Sequence, residues 1–265
     1  MLNNSFAILK HTVNVLVVDD MPEFWTSVKG LLDLFGIYSV FIAESTREAL
    51  KIIQNSDKRI HACVLDRGMN DMERNEFYLI EKFGKTIPFI IMTARRDPDE
   101  SFQYGKKGAK AFVIKGVKEF NYKLVSNINK YAMQNILCPK YNEGQQDLFC
   151  KCLGTLINSK PLSVGEWARC VDILERQLER EWNEHFNVNP LYSLYIFHLY
   201  QCLFAKIENY LQKVSPQEQF SLDKSVEDLL GSSDYNRIFE YCCLNWSKIV
   251  SYINAPMNKE GKVHI

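Results

Sequence analysis

Five side chains with complementary chemistry follow apolar stretches of the sequence, each at the point where a buried strand would end. They are three carboxylates, one hydroxyl and one ammonium: Asp19, Asp20, Asp66, Thr93 and Lys115. In an open α/β sheet, binding sites lie just beyond the carboxyl ends of the parallel strands. We therefore expect these five side chains to share one crevice.

Such a cluster suits phosphoryl transfer assisted by a divalent cation. Carboxylates a few ångströms apart repel one another, so the cluster needs a cation, and an oxygen-only donor set suits Mg2+. A carboxylate can attack phosphorus to form an acyl phosphate. The metal, the ammonium and the hydroxyl would supply the positioning and charge neutralisation that this chemistry requires. The alternatives are that Asp66 merely caps the next helix, or that the cluster is only structural.

Alternating strand and helix patterns would bring these residues together. The apolar runs predict strands at 13–18, 38–43, 62–66, 87–93 and 109–115, and helices at 22–35, 45–54, 72–83, 99–107 and 117–135. In the first helix the apolar positions show helical spacing and are Phe24, Trp25, Val28, Leu31, Leu32 and Phe35. Five strand–helix repeats indicate an α/β fold with a doubly wound, five-stranded parallel sheet and right-handed crossovers. Ser45 and Glu48 have the spacing of a capping box for the second helix.

Residues 13–135 resemble the receiver domain of two-component response regulators, which has a CheY-like, flavodoxin-like fold. The resemblance rests on Val-Leu-Val-Val-Asp-Asp at 15–20, Val-Leu-Asp at 64–66, Ile-Met-Thr-Ala at 91–94 and Phe-Val-Ile-Lys at 112–115. It implies that Asp66 accepts a phosphoryl group from a sensor histidine kinase or a phosphotransfer protein. It also implies that Asp19, Asp20, Asp66 and the backbone carbonyl of Gly68 hold Mg2+.

The resemblance also implies roles for three residues of the last two strands. Lys115 would pair with the phosphoryl oxygens, and Thr93 would donate a hydrogen bond to one of them. Phe112 would be the switch aromatic, which turns inward when Thr93 moves; a plain core or edge phenylalanine is the alternative. The domain would then be a phosphoacceptor that can dephosphorylate itself, with no separate catalytic output.

Two stretches depart from the family pattern. The loop after the phosphoacceptor usually carries Met-Pro and then Asp-Gly, whereas residues 69–75 contain neither proline nor glycine, which predicts a differently shaped loop. Gly116 stands where proline is usual, so either Gly116 adopts an unusual backbone conformation or strain is retained. Arg95 and Arg96 follow the threonine and are either solvated loop charges or contacts to the kinase.

The rest of the chain has a different pattern, with helices and no alternating strands. We expect an N-terminal extension at 1–12, the receiver domain at 13–135, a linker at 136–144 and an all-α helical output domain at 145–265. The output helices are predicted at about 145–158, 163–186, 190–213, 222–230 and 234–253. The second would start with a Ser163–Glu166 capping box. Its apolar face would comprise Val164, Trp167, Val171, Leu174, Leu178 and Trp182.

Charge disfavours DNA as the target of the helical region. The chain carries 32 basic and 32 acidic residues, and residues 136–265 carry 13 lysines and arginines against 16 aspartates and glutamates, a net charge of −3. DNA binding draws much of its affinity from basic contacts to phosphates. We therefore expect protein interaction or a homodimer, formed through the helix 4–strand 5–helix 5 face or through the helical domain. The alternative is a helix-turn-helix-like DNA-binding transcriptional regulator.

Composition gives weaker indications of location and of the cysteines' role. The first eleven residues lack a signal-peptide layout, and no run is apolar enough to span a membrane, so we expect a cytoplasmic protein without a membrane partner. The eight cysteines lack the paired spacing of a zinc site and suit free, buried thiols.

Overall fold

The computed structural model describes residues 10–55, 57–69, 76–95, 97–137, 148–186, 189–214 and 233–254. The chain divides into two compact units. The first comprises Met1–Asn135 with Ile207–Phe220, and the second comprises Ile136–Lys206 with Ser221–Ile265.

The first unit is built on a five-stranded parallel sheet with the strand order β2-β1-β3-β4-β5. The strands are β1 Val13–Val18, β2 Tyr38–Ala43, β3 Ala62–Asp66, β4 Phe89–Thr93 and β5 Ala111–Ile114. Every residue of β1, β3 and β4 is buried, as expected for central parallel strands with both faces covered. The strand order reverses between β1 and β3, where doubly wound folds bind their ligands. The predicted fold class is therefore confirmed.

Five helices of the first unit connect and cover these strands. They are α1 Pro22–Asp33, α2 Thr46–Asn55, α3 Glu76–Phe83, α4 Pro98–Lys107 and α5 Phe120–Leu137. The capping box predicted for α2 is present: the Glu48 N–H donates to Ser45 Oγ at 3.1 Å, and the Glu48 carboxylate accepts from the Glu44 N–H at 2.9 Å. Helix α5 extends two residues into the predicted linker. The rest of that linker and the loop at 70–75 lie outside the described residues.

The remaining described residues form helices only, as the sequence predicts. They are α6 Leu148–Ser159, α7 Val164–Val171, α8 Glu175–Phe186, α9 Pro190–Val214, α10 Ser233–Leu244 and α11 Trp246–Asn254. The capping box of α7 is present, with the Glu166 N–H donating to Ser163 Oγ at 3.1 Å. Trp167 and Trp182 are fully buried in edge-to-face contact, with ring centroids 4.9 Å apart. Across the described ranges, no helix is both long and apolar enough to cross a membrane. The helix predicted at 222–230 lies outside them.

The single helix predicted over 163–186 is wrong, because the chain breaks after α7. Asp172 adopts a left-handed conformation with φ 65° and ψ 47°. Its own N–H and that of Ile173 bond back to carbonyls of the last turn, with Ile173 reaching Ala168 O at 3.0 Å, in the Schellman pattern that ends helices. The break shifts the helical phase, so Leu174 is 76% exposed rather than part of the buried face.

The single helix predicted over 234–253 is also wrong, because Asn245 separates α10 from α11. The Asn245 side-chain amide donates to Tyr241 O at 3.0 Å. The Asn245 carbonyl accepts from the N–H groups of Lys248 and Ile249, both at 3.1 Å. One asparagine therefore serves both the end of one helix and the start of the next.

The described cysteines are reduced thiols, of which five are buried and two are exposed. The buried ones are Cys63, Cys150, Cys152, Cys202 and Cys242, whereas Cys170 and Cys243 are exposed. Cys243 follows the buried Cys242 on one helix, where consecutive side chains point in different directions. The expectation of buried thiols is therefore wrong for these two positions.

Candidate functional site

Three carboxylates meet at the carboxyl ends of the two central strands. Asp19 follows β1 and Asp66 ends β3, and these strands pair in register at Val18 and Leu65. Carboxylate oxygens of Asp19, Asp20 and Asp66 all lie within 4.8 Å of one another. Asp19 is fully buried, Asp66 is 7% exposed and Asp20 is half-buried. The convergence predicted from the strand ends is confirmed for this acidic cluster.

Lys115, just after β5, reaches across to neutralise two of these carboxylates. Its Nζ lies 2.7 Å from Asp66 Oδ1 and 2.8 Å from Asp19 Oδ2, and its side chain is 6% exposed. Its backbone N–H donates to Thr93 O at 2.7 Å, which continues the pairing of β5 with β4. Buried carboxylates require such a partner, because an unpaired buried charge is strongly unfavourable.

Burial raises the pKa of the Asp66 carboxyl to about 6. The hydrogen bond and the positive charge of Lys115 oppose this increase, whereas the charges of Asp19 and Asp20 add to it. At neutral pH the group is therefore largely ionised and partly desolvated. A carboxylate in this state has an oxygen available for attack on an electrophile at the edge of the sheet.

The hydroxyl of Thr93 is engaged with the loop that follows β4. Thr93 Oγ1 donates to Arg95 O at 3.0 Å and accepts from the Arg95 N–H at 3.2 Å. A hydroxyl has a single hydrogen to donate, so Thr93 would have to release Arg95 O before donating to a phosphoryl oxygen. The contact with a phosphoryl group remains a prediction.

Two glycines next to the site have positive φ angles. Gly68 has φ 101° and Gly116 has φ 76°, and a Cβ at either position would meet nothing within 4 Å. The backbone conformation, rather than crowding, is therefore what favours glycine there. The peptide between Lys115 and Gly116 is trans. Of the two alternatives for Gly116, the unusual backbone conformation is correct, whereas the metal-binding role of the Gly68 carbonyl remains a prediction.

Phe112 lies on β5, partly buried against the core of the sheet. Its ring meets that of Tyr104 on α4 edge to face, with centroids 5.9 Å apart. Elsewhere on α4, Lys106 Nζ lies 4.3 Å from the ring centroid of Phe102, and Lys107 pairs with Glu81 on α3. Phe112 thus contacts α4 directly, and its role as a switch remains a prediction.

Sequence reasoning missed one residue of the site, Phe24. The Phe24 ring centroid lies 4.0 Å from Lys115 Nζ. The first turn of α1 positions it: the Met21 N–H donates to Asp19 Oδ1 at 2.9 Å, and the Phe24 N–H donates to Met21 O at 3.0 Å. Helical spacing alone assigned Phe24 to the apolar face of α1. Its place in the first turn, directly after the acidic pair, is the signal that could have identified it.

The donor set of the acidic cluster fits Mg2+. Every side-chain donor is a carboxylate oxygen, and Mg2+ prefers oxygen ligands. Three carboxylates face one ammonium, so at full ionisation two negative charges remain to be neutralised. Asp19, Asp20 and Asp66 are the side chains that would hold the ion.

The sequence of residues 15–126 matches the family model of the response regulator receiver domain. The chain is similar to solved structures of receiver domains. A response regulator receiver domain protein from Clostridium thermocellum has 25% identity and a TM-score of 0.42, and the match covers 47% of this chain and 98% of that one. A CheY-like receiver domain protein from Methanospirillum hungatei has 26% identity and a TM-score of 0.41, covering 46% and 95%.

A receiver domain of a signal transduction histidine kinase from Syntrophus aciditrophicus has 23% identity and a TM-score of 0.41, covering 51% of this chain and 98% of that one. Comparison with curated proteins gives no match. The family match spans the strands and the acidic cluster described above. The chain therefore contains a response regulator receiver domain at residues 15–126.

Proposed function

We propose that Asp66 is the phosphoacceptor of a two-component response regulator, and that its phosphorylation switches the helical region of the chain. The observation that carries the proposal is the Asp66 carboxylate, buried beside Asp19 and Asp20 and 2.7 Å from Lys115 Nζ. A sensor histidine kinase or a phosphotransfer protein would supply the phosphoryl group.

In the proposed reaction, an Asp66 oxygen attacks the phosphorus of a phosphohistidine. The new O–P bond forms as the P–N bond breaks, and the imidazole nitrogen keeps the electron pair and takes a proton from solvent. Lys115 is already within hydrogen-bonding distance of Asp66, so its ammonium can neutralise charge on the transferring oxygens. Thr93 donates to one of those oxygens. Mg2+ held by Asp19, Asp20, Asp66 and the Gly68 carbonyl would supply further charge neutralisation.

The acyl phosphate would act as a switch through β4 and β5. Phosphorylation adds charge and acceptor oxygens beside Thr93 and Lys115. Drawing the Thr93 hydroxyl away from Arg95 O would release the loop after β4. Phe112 packs against Tyr104, so a change in its position would alter the face formed by α4, β5 and α5.

We infer that the output acts through protein interaction or dimerisation, either through that face or through the helical region. The net charge of −3 over residues 136–265 supports this inference over DNA binding. Phe102 on α4 is 60% exposed and offers contact area for a partner.

The phosphoacceptor assignment is tested with the full chain and a small-molecule phosphodonor, acetyl phosphate, by intact mass spectrometry. We expect one phosphoryl group on the wild-type protein with Mg2+ and much less with a chelator. Asp66→Asn should gain none, whereas Asp57→Asn, which changes an exposed carboxylate, should behave as wild type. Phosphorylation of Asp66→Asn at the wild-type rate would overturn the assignment.

The output is tested by comparing self-association and DNA binding with and without the phosphodonor. We expect sedimentation velocity to report a change in self-association or in binding of added kinase. Fluorescence anisotropy with duplex DNA at low salt should report no binding. Salt-sensitive DNA binding that appears on phosphorylation would support the alternative, a DNA-binding transcriptional regulator.

A further inference from the structure

Phe24 places an aromatic ring against the ammonium of Lys115, inside the site but outside the acidic cluster. We propose that Phe24 is a positioning residue that holds Lys115 beside the attacking oxygen of Asp66 during phosphoryl transfer. This inference rests on the proposed function of Asp66.

The surroundings of the ammonium account for such a role. The Lys115 side chain is 6% exposed, and two of its three N–H groups suffice for the bonds to Asp66 Oδ1 and Asp19 Oδ2 at 2.7 and 2.8 Å. The centroid of the Phe24 ring lies 4.0 Å from Lys115 Nζ. A cation over an aromatic face is attracted by the ring quadrupole, and more strongly when water is excluded.

The ring matters because lysine is intrinsically mobile. A four-carbon side chain with a single charged end has many rotamers and does not fix its own position. Lys115 must stay beside the carboxylate of Asp66 while negative charge is distributed over the transferring oxygens. A group that is displaced by an ångström stabilises the transition state less, while the donor can bind as before. Phe24 should therefore affect the maximal rate of phosphorylation rather than the affinity for the donor.

The first comparison is between Phe24→Leu and Phe24→Tyr in the full chain with acetyl phosphate and Mg2+. Leucine keeps an apolar side chain but removes the ring, whereas tyrosine keeps the ring. From the strength of cation–π contacts we expect Phe24→Leu to lower the maximal rate about two- to thirty-fold. Phe24→Tyr should stay close to wild type. Equal rates for leucine and wild type would overturn the inference.

The second comparison removes the lysine, so that a structural role of the ring is distinguished from a positioning role. In a Lys115→Met background, Phe24→Leu should cause little further loss of rate, because the ring acts through the ammonium. The same fold-loss in both backgrounds would overturn the inference. Failure of the wild-type protein to become phosphorylated would instead overturn the proposed function, and with it the kinetic role of Phe24.

A readout that needs no phosphorylation tests the contact itself. The ε-methylene protons of Lys115 lie near an aromatic face, so their NMR signal should be shifted upfield by the ring current and should be absent in Lys115→Met. We expect the shift to be lost in Phe24→Leu and retained in Phe24→Tyr. A shift that persists in Phe24→Leu would overturn the assignment of Phe24, whatever the result with the phosphodonor.

Discussion

A single ammonium neutralises two buried carboxylates at the sheet edge. Asp19 is fully buried and Asp66 nearly so, and Lys115 bonds to both. The Lys115 ammonium lies within hydrogen-bonding distance of oxygens of both carboxylates. Removing one partner of a buried ion pair typically destabilises a protein by about 3–5 kcal/mol, because the other charge is left uncompensated. Lys115 therefore has a structural role in the metal-free protein beside its proposed role in phosphoryl transfer.

Lys115→Met should make folding strongly dependent on Mg2+. In chelator we expect the variant to be less stable than wild type by about 3–5 kcal/mol. Added Mg2+ should stabilise the variant more than the wild type, since a bound ion favours the folded state and no ammonium now repels it. Thermal unfolding with chelator and with millimolar Mg2+ measures both effects.

Lys118→Met is the matched control, because Lys118 is exposed and lies three residues further along. It should leave stability and its Mg2+ dependence close to wild type. An equal stabilisation of Lys115→Met and wild type by Mg2+ would contradict the role of Lys115 as the neutralising cation, and no stabilisation of either protein would contradict the metal site.

Among the individual residues of the site, the sequence predicts the reacting groups but not the side chains that surround them. Asp19, Asp66 and Lys115 were predictable because each follows a buried strand, and parallel strands end at one edge. Phe24 was missed, because helical spacing by itself does not distinguish a side chain packed on the sheet from one that lies against an ammonium at the helix start. Two hydrogen bonds, from the Met21 N–H to Asp19 Oδ1 and from the Phe24 N–H to Met21 O, fix the first turn of α1 and so the position of the Phe24 ring.

The helix ends were predictable where the signal lies within one turn of the chain and were missed elsewhere. The capping boxes at Ser45 and Ser163 were predictable because the motif bonds within one turn. The end of α7 was not, because Asp172 replaces the glycine that usually marks a left-handed helix end. In the sequence, the helical spacing of Val171, Leu174 and Leu178 continues through the break, so this spacing could not show where the helix ends.

Asp172→Gly should therefore stabilise the protein. Asp172 is exposed and has φ 65°, a conformation that costs residues with a Cβ about 1–2 kcal/mol and costs glycine little. We expect a net gain in stability of about 0.5–1 kcal/mol, because the greater entropy of glycine in the unfolded chain offsets part of the relief. Asp172→Val should lose about 1 kcal/mol, because a β-branched residue tolerates the left-handed conformation less well than aspartate does. Urea unfolding of the full chain measures both changes.

Arg180→Gly provides the control of opposite sign. Arg180 is exposed in the middle of α8, where glycine should destabilise by about 1 kcal/mol. If Asp172→Gly destabilised the protein by as much as Arg180→Gly, the left-handed end of α7 would be refuted.

For the whole molecule, the doubly wound parallel sheet was predictable, whereas one long-range connection was not. Strand–helix repeats and right-handed crossovers restrict a doubly wound fold to few topologies. These repeats and the crossover rule do not predict that residues 207–214, the last part of α9, belong to the same unit as the sheet. There, Tyr38 Oη donates to Asn129 Oδ1 at 2.5 Å, and Asn129 Nδ2 donates to Glu208 Oε1 at 3.3 Å. These partners are 91 and 79 residues apart, so no local pattern could reveal them.

This connection should make stability depend on pH through Glu208. Burial raises the pKa of the Glu208 carboxyl, although hydrogen bonds from Asn129 and Ser126 oppose the increase. A carboxyl whose pKa is higher in the folded state contributes stability that is fully present below its unfolded pKa, about 4.3, and is lost as the pH rises through the folded value. Glu208→Gln keeps an acceptor for Asn129 and cannot ionise. The variant should therefore become more stable relative to wild type as the pH rises.

The measurement is the difference in free energy of unfolding between Glu208→Gln and wild type, from urea titrations at about pH 4.5 and about pH 7.5. We expect this difference to shift in favour of the variant at the higher pH, because only the wild type then has a partly buried charge opposite the Tyr38–Asn129 pair. Glu44→Gln, which changes an exposed carboxylate of the same unit, should show no comparable shift. A difference that stays constant with pH would mean that Glu208 is solvated, and that the end of α9 does not pack on α5 as described.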